Sequence, residues 1–110
     1  MTAKEIYAGL KGLGYPVAYR QFQEGNVPTA PYIVWYVDGS DNFAADGIVY
    51  EKTYNVYIEL YADKKDFEAE SKIEQWLTDN EIYYDYDELF IESEKYIETL
   101  YMCQIGGLNG

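Results

Sequence analysis

The chain has 110 residues, 48% hydrophobic and 25% charged, which suits one domain around a single core and is too apolar for a disordered segment. Twenty acidic against eight basic residues give a formal net charge of -12, a field that repels phosphate backbones and anionic membrane surfaces. There is no histidine and only one cysteine, Cys103, which excludes histidine-based triads, histidine metal sites and an internal disulfide.

In chain order, Thr2 followed by Glu5 forms a capping-box signature. Ile6, Leu10 and Leu13 then fall near one helical face, predicting a helix from about Ala3 to Leu13 that Gly14-Tyr15-Pro16 ends. Val17 to Phe22 reads as a short strand, and the Pro- and Gly-broken stretch from Gln23 to Pro31 as a loop. Tyr32 to Asp38 is almost wholly apolar or aromatic, as expected of a strand buried on both faces or held at a contact.

Gly39 to Gly47 reads as a turn-rich excursion, with Asp46-Gly47 favouring a tight reversal. From Ile48 to Tyr61 strand character returns. Val56, Ile58 and Leu60 point one way and Tyr57, Glu59 and Tyr61 the other. Asp66 is placed to cap a helix from about Phe67 to Asn80, whose apolar stripe is Ala69, Ile73, Trp76 and Leu77. Strands follow at Ile82–Ile91 and Tyr96–Ile105, with Ile97 and Tyr101 opposed to Leu100 and Met102, and glycines mark a loose end over residues 106–110.

The order is α-β-β-β-α-β-β. It predicts a single α+β domain over residues 1–110, with a mostly antiparallel four- to five-stranded sheet and two helices packed on one face. No secretory segment and no bilayer span is expected, since no apolar run is long enough.

Residues suited to chemistry are sparse. Cys103 lies in an apolar run and reads as structural, and no Walker or dinucleotide-binding glycine pattern occurs. Asp38, Asp41 and Asp46 supply oxygen ligands around one loop, but their spacing does not match a twelve-residue calcium loop, and turn formation accounts for them. Asp85, Asp87, Glu88, Glu92 and Glu94 include the carboxylates of a conceivable small hydrolase, yet the chain leaves little room for a substrate cleft, and solvated positions explain them better. No cofactor, metal or catalytic residue is expected, and the chain reads as non-enzymatic.

The aromatics are more informative. Fourteen tyrosines are present, and a tyrosine buries apolar area while keeping a usable hydroxyl. Trp35 and Tyr36 are adjacent on a strand and must face opposite ways. They and Tyr50, Tyr54, Tyr57 and Tyr61 fit either core positions or an intermolecular surface.

The run Gly39-Ser40-Asp41-Asn42-Phe43-Ala44-Ala45-Asp46-Gly47 with Val49-Tyr50 resembles a motif of small proteins from the structural modules of tailed phages and prophages. So do Val56-Tyr57-Ile58-Glu59-Leu60-Tyr61 with Asp63-Lys64-Lys65-Asp66, the opening Pro16-Val17-Ala18-Tyr19, and Ile91-Glu92-Ser93-Glu94-Lys95. Together they span nearly the whole chain and resemble the tail-completion, or tail-terminator, family of long-tailed phages. Phe67 departs from that pattern, standing where relatives often carry proline.

The resemblance implies a small α/β subunit of a homo-oligomeric ring, commonly a hexamer, at the head-proximal end of the tail. The implied partners are the major tail tube protein and the head connector protein, without sequence-specific nucleic-acid binding or membrane attachment. The implied location is the virion at the head-tail junction, and the host cytoplasm during assembly. Trp35, Tyr36, Asp41, Asn42, Phe43, Asp46, Tyr50, Tyr54, Tyr57 and Tyr61 are the expected subunit or tube contacts. The competing reading is an acidic inhibitor or DNA mimic that occupies a basic host protein.

Overall fold

A computed structural model describes residues 1–45 and 48–110, without the side chains of residues 42–51. The chain forms α1 (Ala3–Lys11), β1 (Val17–Tyr19), β2 (Tyr32–Ala45), β3 (Ile48–Ala62), α2 (Phe67–Asp79), β4 (Tyr83–Ile91) and β5 (Tyr96–Gly106). This is an α+β fold whose five strands make one open sheet in the order β1-β2-β3-β5-β4. Only β1 and β2 are parallel; the other pairs are antiparallel.

Local chemistry sets the helix limits. The Thr2 hydroxyl accepts from the Glu5 amide at 3.1 Å while the Glu5 carboxylate accepts from the Thr2 amide at 2.8 Å, so two donors at the helix start are satisfied reciprocally. The helix stops at Lys11, short of Leu13, with Gly12 as its C-cap. Asp66 caps α2 by accepting from the Ala69 amide at 3.0 Å.

Both helices bury their apolar stripes against the same side of the sheet. Ile6 and Leu10 of α1 and Ala69, Ile73 and Leu77 of α2 join one core with Ile33, Trp35, Val56, Ile58, Leu60, Tyr101 and Cys103. The ladder explains why these strand residues converge: Trp35 lies opposite Ile58, and Ile58 opposite Tyr101, so period-two alternation puts them on one face. Trp76 sits at the rim of this core, only partly buried, with its indole against Gly9.

Three expectations change. The strand expected through Phe22 ends at Tyr19, because Arg20 takes a left-handed backbone with φ 69. The excursion expected from Gly39 is instead a continuation of β2 to Ala45, paired with Ile48–Tyr54. A register shift between Val37 and Ser40, with Gly39 at φ 79, absorbs the turn-forming residues as a bulge. The reversal expected at Asp46-Gly47 lies outside the described residues. The glycine-rich end is also tied down: Ala3 donates to the Asn109 carbonyl at 2.7 Å, and Leu108 packs on the core.

The longer β2 and β3 create a hairpin arm. Pairing of β3 with β5 stops at Thr53, with one further bond from the Gly107 amide to the Lys52 carbonyl, and β1 covers only Ile33 to Trp35, so among the described residues, 43–45 and 48–51 pair with each other alone. The molecule is accordingly elongated, 49 × 28 × 24 Å.

Candidate functional site

With both helices on one side, the other face of the sheet is left without a helical cover. Cross-strand pairing assembles it: Tyr32 lies opposite Tyr61, Val34 opposite Glu59, and Tyr36 opposite Tyr57. The next strand contributes Glu98 beside Tyr61 and Leu100 beside Glu59. The Tyr32 and Tyr61 rings stack at 5.2 Å, and the Tyr36 and Tyr57 rings meet edge-on at 5.5 Å.

Glu59 sits in the middle of this face and is only 7% exposed. A carboxylate so placed needs donors, and the Tyr61 hydroxyl supplies one. Burial, then the hydrogen bond and charge of Glu59, push the Tyr36 and Tyr61 hydroxyls well above the usual phenol range. The adjacent Glu98 carboxyl is raised from 4.5 to about 7, first by burial and then by its hydrogen bond to Glu59 and that group's charge; Tyr61 opposes the rise. None of the ion pairs among the described residues involves Glu59 or Glu98.

Toward one end of the face, the 20–31 segment folds over a cavity of about 330 Å³ lined by Arg20, Phe22, Tyr32, Tyr61 and Tyr96. Toward the other, Asp41 at the base of the arm accepts from the Gln104 side chain at 3.0 Å.

A second polar cluster lies on the helix side. Lys65 bridges Glu70 at 2.8 Å and Glu88 at 2.6 Å, and donates to Tyr86. The Thr99 hydroxyl donates to buried Glu70 at 3.2 Å, and the Tyr101 hydroxyl to Glu74 at 2.7 Å. Partial burial works against the Lys65 charge, but the bonds to Glu70, Glu88 and Tyr86 outweigh it and hold the ammonium protonated. Burial pushes the Cys103 thiol up to about 12. Lys65 is therefore held as the ammonium and Cys103 as the thiol, and neither is poised as a nucleophile.

The expected contact residues separate. Tyr36, Tyr57 and Tyr61 share the open face, with Asp41 at its end. Trp35 is in the core at 2% exposure, edge-on to Tyr19 at 4.7 Å, and its indole N–H has no acceptor among the described residues. Tyr54 packs on the core from the helix side, with the Lys52 ammonium 4.6 Å from its ring. Asp46 and the side chains of Asn42, Phe43 and Tyr50 lie outside the described residues.

Glu59 and Glu98 were not singled out by sequence. The only available signal was Glu59 itself, the one charged residue inside Val56–Tyr61. Among the described residues, no three His, Cys, Asp or Glu side chains converge as a metal site. Of the carboxylates from Asp85 to Glu94, Glu88 is held by Lys65, and Glu92 is bound to Lys95 at 2.7 Å. No helix among the described residues is long and apolar enough to cross a membrane. Comparisons with protein-family models and with curated proteins gave no match.

Proposed function

We propose that this chain is a non-enzymatic structural subunit of a tailed phage, a tail-terminator or tail-completion protein that forms a ring at the head-proximal end of the tail tube. The observation that carries this reading is the presence of two unlike surfaces on one small domain, the tyrosine-rich open face and the projecting β2–β3 arm. A closed ring of identical subunits joined head to tail needs two different, complementary patches on each copy. Aromatic residues supply interface area at low entropic cost.

The described part of the first resembling run, residues 39–45, lies in β2 at and beyond the base of the arm, and the run from Val56 to Tyr61 lies in β3, whose alternate residues line the open face. The subunit's partners in this reading are further copies of itself, the tail tube protein and the head connector protein. Its acidity keeps DNA from adhering as it passes through the ring.

The test is solution mass, measured with and without the tube protein, for the parent and for a variant with residues 41–52 replaced by a short turn. The expected outcome is a ring-sized species that the variant cannot form, although it keeps its helical circular dichroism and melting temperature. A monomer under all conditions that binds tightly to a basic host protein favours the inhibitor reading instead.

A further inference from the structure

The two edges of the sheet are built differently. On one side β1 offers only three residues and is ended by the left-handed Arg20, so it presents almost no free backbone. On the other, β4 runs nine residues against β5 in unbroken register, without proline or bulge, and no strand among the described residues pairs with its outer side; of its amides, that of Glu88 is held by the Asp87 carboxylate at 2.8 Å. Such an edge is a template for another strand unless something repels it.

Its side chains say which strand it admits. Alternation puts Tyr84, Tyr86, Glu88 and Phe90 on the helix side, where Lys65 neutralises Glu88, Phe90 is 58% exposed and Phe67, at 71%, stands near Tyr86 across Lys65. The opposite side carries Asp85 and Asp87 at its centre, flanked by Tyr83 and Leu89, all four exposed. Lys65, the cation at this edge, is already occupied by Glu70 and Glu88. A second copy of this acidic chain set against β4 would bring carboxylate to carboxylate, because neither β4 nor the β2–β3 arm carries net positive charge.

We propose that β4 docks an extended segment of another protein as a sixth strand, with apolar side chains on the helix side alternating with lysine or arginine opposite Asp85 and Asp87. Backbone hydrogen bonding provides affinity and the two side-chain rows provide selectivity. The acids therefore act as a filter: they turn away acidic strands, this chain's own copies included, and admit basic ones.

The probe is a short fluorescent peptide of alternating valine and lysine, titrated by anisotropy at low and moderate salt. It is expected to bind and to protect β4 amides from hydrogen exchange. Its valine-glutamate counterpart and a backbone N-methylated valine-lysine peptide are expected to fail. The double variant D85K/D87K should weaken valine-lysine binding by about tenfold or more while leaving the circular dichroism spectrum unchanged. No binding by the valine-lysine peptide overturns the proposal. Equal binding by the N-methylated peptide also overturns it, because the attraction would then be charge alone without strand addition.

Discussion

Glu59 on β3 and Glu98 on β5 stand as diagonal neighbours on the sheet face that carries no helix, because Glu59 lies opposite Leu100 and Tyr61 opposite Glu98. Two carboxyls so placed, with no cation among the described residues paired to either, are relieved by a proton.

This sets the direction of a pH dependence. Glu98 holds its proton up to about 7 in the folded chain against 4.5 as the ordinary value, so folding takes up a proton between those limits. Its contribution to stability is full below about pH 4.5 and is lost as pH rises through about 7. A shift of this size is worth about 3 kcal/mol at full strength, which solvent at a partly open face reduces to on the order of 1 kcal/mol. Glu98→Gln should therefore match the parent below pH 4.5 and exceed its stability above pH 7 by that amount, measured by urea denaturation across the range. Parallel pH profiles for the two proteins would contradict the shared-proton account.

Gly9 is required by packing and not by backbone conformation. A Cβ added there would fall inside the indole of Trp76, which bridges α1 and α2 at the core rim. Gly9→Ala gains helix propensity, about 1 kcal/mol, but the overlap is expected to cost about 1–3 kcal/mol. The net effect is destabilisation unless Trp76 is also cut back. Thermal melts of Gly9→Ala, Trp76→Leu and the double variant test the coupling; a single variant more stable than the parent would show the indole free to move.

Lys65, in the connection before α2, ties two elements together, reaching Glu70 in α2 and Glu88 and Tyr86 in β4. Lys65→Met keeps the stem but leaves buried Glu70 with the Thr99 and Tyr86 hydroxyls and without its cation. A loss of about 1–3 kcal/mol is expected in chemical denaturation. Lys95→Met, which breaks an exposed pair, should cost little or nothing.

Local pattern carried the element order far. The cap at Thr2, the stripe from Ala69 to Leu77 and the alternation from Val56 to Tyr61 are nearest-neighbour signals, and each corresponds to an element in place. The arm was not legible in the same way. Gly39, Ser40, Asp41 and Asn42 favour turns as individual residues, whereas a bulge takes up Gly39 and a ladder to residues 52–54 holds the other three in the strand. The open face depends on register between strands far apart in sequence. That Glu59 neighbours Glu98, or that β4 becomes an edge, follows from β5 inserting between β3 and β4, which no local window reveals. Trp35 illustrates the same limit: alternation required it to oppose Tyr36, but only the position of the helices decided which of the two was buried.

The ring-subunit account is tested most directly by cryo-electron microscopy of purified parent phage particles, with this domain fitted at the head-proximal end of the tail. The account predicts a closed ring of copies there, each placing its β2–β3 arm against a neighbour. Particles that lack this chain altogether, with the junction filled by other proteins, would contradict it.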